Sequence, residues 1–438
     1  MLNKENRYYY LLLLCCALDI NVFYLVNADA ITILGVSYLD LVFLLHAVLF
    51  LMSISNRIKS KGFVIRKSDL LMFFPIVMII GSAYAGTRSY GQSILQGIVS
   101  QREWFGCVMM FFPLSDWIEY GKIDKSKIIK IVYQISTILL VISIVQYFLS
   151  PIVKFTYSMQ NERYGDARFY FSTAYPILAT GFAFDKIADN NVRGNSKEFW
   201  KNVLIIVGSA FMCAVVTKGR MNTICFVIAL LICLLINKAS DGKKLVFFCV
   251  SILAGFLFLS SKIGSDFMTV INGDTLQTNT LSVREAGRAY YLARVFSRGY
   301  SILWGYGSPN LHSEVAQRIS NPFWQDVGTA RFHLADNGIF SEIYIFGFIG
   351  LLWFVFLVFR CFKMAFAIYR EKGKCSYLLF MITDLLGCMT LIPAAFDVTI
   401  VMPIFLVVLT EEYRELNMEK RHRKSKVLNT KIYSGENR

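Results

Sequence analysis

The sequence predicts an all-α polytopic integral membrane protein, with about twelve transmembrane helices and one large polar loop between the ninth and the tenth. Three observations predict it. The 438 residues are 55% hydrophobic with a mean hydropathy of +0.50, a content hard to keep in solution as a globular protein. The apolar residues fall in runs long enough to cross a bilayer. Every second connector between those runs is basic, as the positive-inside rule requires of cytoplasmic segments.

The runs lie at about 8–27, 31–54, 69–86, 93–118, 129–150, 169–186, 202–218, 221–237, 244–261, 338–359, 376–393 and 396–411. The first begins near Tyr8 and is followed at once by the second, without a small-residue cleavage site, so it is expected to remain as an anchor. With the N-terminus inside, the basic connectors Arg57 to Lys67, Lys122 to Lys130, Lys238 to Lys244 and Arg360 to Lys374 are all cytoplasmic. Cytoplasmic segments then hold 31 of the 45 Lys and Arg residues. Pro393 breaks the stretch 376–411, and the basic tail Lys420 to Lys426 asks for two crossings there, which puts both termini in the cytoplasm. Beyond Leu416 the tail is polar and expected to be disordered. The chain thus divides into 1–262 (helices one to nine), 263–337 (the large extracytoplasmic loop), 338–413 (helices ten to twelve) and 414–438 (the basic tail).

Composition also excludes some functions. The pI of about 9.3 comes from charge spread over membrane-flanking loops, which argues against nucleic acid as a partner and for the lipid bilayer. The ten cysteines fall in helices or near the cytoplasmic face, none in an outer loop and none at zinc-site spacing. No internal repeat is visible, which counts against transporters built from duplicated halves.

Two outer segments carry unexpected cations. The smaller, 151–168, holds Lys154, Arg163 and Arg168. The larger holds Arg284, Arg288, Arg294, Arg298, Arg318 and Arg331, on the face that Lys and Arg should avoid. Within it, Ser282-Val-Arg-Glu285 reads as a capping box, and Gly299 as a stop, predicting a helix over about 283–298. At about 100° per residue, Arg284, Arg288, Arg294 and Arg298 share a face roughly 120° wide. Val283, Ala286, Ala289, Leu292 and Phe296 form the other face. Such a helix could lie on the bilayer with its arginines on lipid phosphates. It could equally grip a pyrophosphate, whose oxygens suit the planar guanidinium fork.

Three further groups stand out. Arg220, in Thr217-Lys-Gly-Arg-Met221, sits in an outer turn too short to reach far from the membrane; it is either a snorkelling anchor or a ligand-facing charge. Arg331-Phe-His-Leu-Ala-Asp-Asn-Gly338 puts His333 and Asp336 three residues apart, close enough in a helical turn for the carboxylate to orient the imidazole. An ordinary N-cap built on Asp336 or Asn337 is the alternative. Inside the spans, Asp19, Asp40, Arg102, Glu103 and Asp384 are ionisable, and Arg102 is expected to pair with Asp40 or Asp384. His46 reads as a packed helix residue, and His312 has no obvious partner.

These features, in this order, resemble the bacterial O-antigen and capsule polymerase/ligase superfamily, which comprises Wzy-type polymerases and lipid A-core ligases. The resemblance rests on four motifs: the small loop with Arg163 and Arg168, Lys218-Gly-Arg220 opening a helix, an Arg-rich helix running into Ser301-Ile-Leu-Trp-Gly-Tyr-Gly307, and His333-x-x-Asp-Asn-Gly338 followed by Phe346-Gly-Phe-Ile-Gly350. Polymerases of this kind are also described by an arginine followed by glycine eleven positions on. Arg288 with Gly299 and Arg294 with Gly305 fit that spacing; after Arg163 and Arg168 the matching positions, 174 and 179, are alanine. Ligases typically show His followed directly by Asn, whereas Leu334 follows His333, so the resemblance leans to a polymerase.

The resemblance implies a GT-C-like, multi-pass glycosyltransferase of the bacterial inner (plasma) membrane. It would join polyprenyl-pyrophosphate-linked oligosaccharides, donor onto acceptor, at the outer face, in O-antigen, capsule or exopolysaccharide synthesis. No cofactor is implied, and without a tight acidic cluster in the outer loops the reaction is expected to be metal-independent. Arg220 and Arg288 would hold the pyrophosphate, Arg284 would support them, and His333 or Asp336 would stand near the acceptor hydroxyl. Arg163, Arg168, Arg294 and Arg331 would add to substrate binding, while Tyr290, Tyr291, Trp304 and Tyr306 could flank sugars or simply pack. A chain-length regulator and a flippase are the partner proteins it suggests. A ligase of the same superfamily, or a lipid-linked oligosaccharide flippase, is the rival reading.

Overall fold

A computed structural model describes residues 4–28, 30–33, 36–61, 67–163, 166–188, 196–237, 278–310, 324–327, 330–387 and 399–433. It is mostly helical. The helices are α1 (Lys4–Asp19), α2 (Tyr38–Lys61), α3 (Lys67–Tyr90), α4 (Ile94–Val99), α5 (Arg102–Glu119), α6 (Lys125–Leu149), α7 (Ala174–Ala188), α8 (Ser196–Phe211), α9 (Arg220–Ile236), α10 (Thr278–Phe296), α11 (Gly299–Trp304), α12 (Ile339–Lys372), α13 (Ser376–Gly387) and α14 (Val401–Tyr433). Among the described residues a helix stands at every predicted apolar run except the ninth, whose residues 244–261 lie outside them. Among the described residues, five stretches are long and apolar enough to cross a membrane: Tyr38–Lys59, Asp69–Tyr90, Lys125–Leu149, Lys197–Val216 and Ile339–Lys372.

The polarity of the bundle is inverted, which marks it as membrane-embedded. Leu44, Val48 and Leu51 on α2, Val141, Val145 and Phe148 on α6, and Leu352, Val355 and Phe359 on α12 point outward. Asp69, Asp116, His46, Gln146 and Asn202 point inward. Water would penalise that arrangement; hydrocarbon demands it. The first part of α14 is apolar on all sides and fully buried from Val401 to Leu409, as expected of a helix enclosed by others.

The helix ends gather at two poles. At the lower pole Arg57 bridges Asp69 and Asp116, each at 2.7 Å, and Ser53 donates to Asp116. Glu412 receives Lys125 at 2.5 Å and Lys372 and Lys374 at 3.0 Å. Asp185 accepts the N–H of Cys375 at 2.6 Å, at the start of α13. At the upper pole Asp19 accepts the N–H of Ile400 at 2.9 Å, and Arg102 pairs with Asp40 at 3.4 Å, as the sequence suggested.

Three expectations need correction. The fold is not purely α-helical: short antiparallel hairpins β1–β2 (Thr32–Ile33, Val36–Ser37), β3–β4 (Gln160–Arg163, Asp166–Phe169) and β5–β6 (Trp324–Val327, Ala330–His333) occur in the connectors. The tail is helical rather than disordered through Tyr433. Its charges are paired, Lys420 with Glu371 at 2.8 Å and Arg423 with Glu419 one turn back, and its Lys, Arg and Glu favour helix. Finally, α10 begins at Thr278, so Ser282 lies inside it and does not cap it.

Burial alone would raise the Glu412 carboxyl, but Lys125, Lys374 and Lys372 hold it down to about 2 from an ordinary 4.5. Because the folded value is depressed, its stabilising effect is full above pH 4.5 and is lost as pH falls toward 2. Glu412→Gln should therefore cost about 3 kcal/mol at neutral pH, because three neighbouring lysines lose the buried carboxylate that they share. The gap in melting temperature between variant and wild type, measured in detergent, should close as the buffer is acidified through that window.

Candidate functional site

The upper pole holds two groups of cations. The first is built where α8 meets α9. The end of α8 widens into a π turn, Met212–Val216, and Thr217 accepts Arg168 Nε through its carbonyl at 2.8 Å. The Arg168 guanidinium also donates to the Tyr170 hydroxyl at 2.8 Å and lies 4.2 Å over that ring. Arg168 thus ties the β3–β4 hairpin to the turn that carries Lys218, Gly219 and Arg220. Lys218 is only 2% exposed and holds a left-handed φ of +46°, a conformation that costs an L-residue roughly 1–2 kcal/mol. Arg220 is the first residue of α9. Arg163 stands opposite Asp166 in the hairpin register. The side chains of Arg163 and Arg220 lie outside the described residues.

The second group is α10 packed on α12. Gly287, Tyr291 and Val295 form the buried stripe of α10, Tyr291 2% and Val295 0% exposed. On the helical wheel that stripe falls between Arg294 and Arg288. The arginine face therefore turns toward the bundle, while Ala286, Ala289 and Phe296 are exposed. Arg288 lies 5.2 Å over the Phe340 ring. Arg294 lies 4.4 Å over Tyr290 and 5.9 Å over Tyr306, and it engages the Tyr344 hydroxyl, which shares a 2.7 Å hydrogen bond with Tyr90. Tyr306 stacks on Tyr344 at 5.4 Å and 16°. Arg298 leaves the shared face: the helix breaks at Ser297, and Arg298 has extended backbone as the N-cap of α11. Gly299 opens α11 instead of stopping α10.

A backbone contact holds this group in place. After α11, the Tyr306 N–H donates to the Tyr344 carbonyl at 2.6 Å. Gly305 (φ +77°) lies so close to Ile345 that a Cβ would fall on its carbonyl. Gly347 (φ +67°) kinks α12 and faces Leu303 and Gly305 just as closely. Beyond them, Gln92 clamps the segment by donating to the Ser308 carbonyl at 2.9 Å and accepting the Asn310 N–H at 2.8 Å. Trp304 fills the space left by Gly81, and Tyr291 is core, so both pack; Tyr290 and Tyr306 stand around Arg294.

His333 ends β6, paired in register with Trp324, and Arg331 stands opposite Asp326. Asp336 lies in the 3-10 turn Leu334–Asn337 that follows. Their side chains lie outside the described residues. Neither Asp336 nor Asn337 caps α12: Gly338 does, with no side-chain cap. Arg284, Arg288 and Arg294 are thus brought together on one helix, and Arg168 with the Arg220 turn forms a separate group. Sequence reasoning named Lys218 as part of a motif but gave it no role, and it missed Tyr90, Tyr344 and Glu342. The last is 4% exposed in the first turn of α12, with neither carboxylate oxygen hydrogen-bonded among the described residues. Its isolation in an apolar run was the available signal. No metal-binding cluster of His, Cys, Asp or Glu occurs among the described residues.

The chain matches no family model and no curated protein.

Gly347→Ala should open the contact beneath Arg294, because alanine meets both the Leu303 carbonyl and an unfavourable φ. Ser308 is 4% exposed. A Ser308→Cys reporter should label slowly with a membrane-impermeant maleimide in the wild-type background and about tenfold faster with Gly347→Ala, if the open form gains about 1.4 kcal/mol.

Proposed function

We propose that the chain is a polysaccharide polymerase at the outer face of a bacterial inner membrane, joining polyprenyl-pyrophosphate-linked oligosaccharide units. The upper pole would be the extracytoplasmic one. The observation that carries this reading is the direction of the α10 arginine face. An interfacial helix serving only as an anchor would aim its arginines at lipid phosphates. Here the face borders a buried stripe and aromatic rings of α10 and α12, while Ala286, Ala289 and Phe296 are left for the bilayer.

The chemistry follows from that placement. The bond between the donor sugar's anomeric carbon and the pyrophosphate oxygen breaks as the acceptor hydroxyl oxygen bonds that carbon. The hydroxyl proton passes to His333 or Asp336, and the polyprenyl pyrophosphate leaves with the bonding pair. Arg288 and Arg284 on α10, and Arg220 at the start of α9, would neutralise the charge gathering on the leaving group. Such preorganised donors act most strongly where water is excluded.

Deletion of the gene, followed by analysis of glycan length, tests the reading. A polymerase's loss leaves single repeats on their final carrier or on lipid. A flippase's loss traps units on the cytoplasmic face, and a ligase's loss leaves long chains on polyprenyl lipid. Arg288→Ala and Arg220→Ala should each cut polymer formation by roughly 100-fold or more at unchanged membrane levels. Wild-type chain length in both would refute their roles.

A further inference from the structure

A cavity at the lower pole takes no part in the chemistry above. It lies where the end of α7 and the start of α8 meet α6, and its volume is about 280 Å³. Tyr133, Lys186, Lys197, Glu198, Lys201 and Asn202 line it, all of them described residues. The back wall is buried and its polar groups satisfy one another. The Tyr133 hydroxyl donates to Asn202 Oδ1 at 3.0 Å, and Asn202 Nδ2 donates to the Glu198 carbonyl at 2.8 Å. The mouth is cationic. Lys186 Nζ lies 4.8 Å from the centre of the Tyr133 ring and Lys201 Nζ 5.8 Å from it, so two ammonium groups gather beside one ring.

The acids nearby do not cancel that charge. Glu198 meets Lys186 at 3.4 Å, and neither Lys197 nor Lys201 is in an ion pair among the described residues. Asp185, next to Lys186 in the chain, accepts the N–H groups of Cys375 and Ser376 at the start of α13. The connector 189–195 contributes Asp189 and Arg193, one charge of each sign. Three lysines against one glutamate leave the cavity with a surplus of positive charge. Water can fill such a space but cannot neutralise it. An anion does both, and lysine meets phosphate oxygens as a mobile point charge. The volume is close to the roughly 300 Å³ at which small-molecule sites begin, and several times the roughly 30 Å³ of one water.

A phosphate group could come from a lipid or from solution, and the height of the cavity favours the lipid. Trp200 is exposed beside Lys201, and Leu204 and Val207, one and two turns further along α8, are exposed as well. An outward stripe that opens on tryptophan and continues as aliphatic side chains marks the junction of head groups and hydrocarbon. The lysines therefore stand at head-group height, with apolar stems against protein and ammonium groups at the level of lipid phosphates. We propose that this cavity is a binding site for the head group of an anionic phospholipid in the leaflet at the lower pole, its phosphate held by Lys186, Lys197 and Lys201. The assignment needs a membrane-embedded chain and does not rest on the polymerase reading.

The test uses the full-length protein in nanodiscs of phosphatidylcholine with increasing phosphatidylglycerol. Lysines are acetylated in a brief pulse with a water-soluble succinimidyl ester and read by peptide mass spectrometry. Lys59, exposed two residues from Arg57 at the same pole, reports the general effect of surface charge. Phosphatidylglycerol should slow the labelling of Lys197 and Lys201 relative to Lys59, by about tenfold once it exceeds its dissociation constant by about that factor. Glycerol 1-phosphate added to discs of phosphatidylcholine alone should protect neither. Lys201→Gln should raise the phosphatidylglycerol fraction that protects Lys197 by about fivefold, the effect of one cation near a charged surface, and Lys201→Arg should retain the protection. Equal slowing at Lys59, Lys197 and Lys201 would show surface charge acting without a site. Protection by glycerol 1-phosphate would make the ligand a soluble phosphate ester. Either result, or an unaltered Lys197 response in Lys201→Gln, would overturn the proposal.

Discussion

The upper pole depends on one close approach, the Gly305 backbone against Ile345 and Gly347 of α12. Side chains on either partner would hold the two segments apart. Their absence lets the Tyr306 N–H reach the Tyr344 carbonyl and lays the two tyrosine rings together. Through α11 the same contact fixes where α10 ends, and so which way Arg294 and Arg288 point. The site is therefore set by backbone fit, and its charges inherit their direction from that fit.

The two poles treat charge differently. At the lower pole every buried carboxylate named meets a cation or a backbone donor: Asp69 and Asp116 meet Arg57, Glu412 meets three lysines, and Asp185 meets the first N–H groups of α13. Such full pairing locks helix ends, and a cut partner would strand a buried charge. At the upper pole Glu342 and His46 are buried with atoms that find no hydrogen-bond partner among the described residues, and Lys218 holds a strained backbone. Unpaired groups and strain cost stability, so the upper pole is held together less tightly than the lower one.

Most of the helical frame was legible because apolar run length and basic connectors are strong, redundant signals. The helix boundaries were less so. The α10 start was misplaced because Ser282 and Glu285 carry a cap pattern that the four preceding helical residues, Thr278 to Leu281, override. The tail was misjudged because polarity was taken for disorder, when its glutamates and lysines pair with one another and with α12. The Arg102–Asp40 pair was legible from charge alone. The tyrosine shell was not: Tyr90 and Tyr344 lie 254 residues apart, and nothing local in either run announces the other. Lys218 was in view as part of a turn, but its burial follows from the hairpin that Arg168 clamps, a tertiary fact.

A tally of arginines overstates what a site can hold, and the geometry sorts them. Arg168 spends its Nε on the Thr217 carbonyl, an Nη on Tyr170 and its face on that ring, so its work is to position the Arg220 turn. Arg298 is turned onto Tyr300 at 2.8 Å on the exposed side of the break. What remains on the inward face is Arg284, Arg288 and Arg294. Arg288 lies over the Phe340 ring and Arg294 over the Tyr290 ring, contacts that engage the flat face of a guanidinium, and Arg294 also engages the Tyr344 hydroxyl. A stacked guanidinium is also held rigid, so little rotamer freedom is lost when an anion arrives. If the proposed function holds, three arginines fixed on a packed helix would grip a diphosphate better than six scattered along a loop, and the direction of α10 would matter more than its charge.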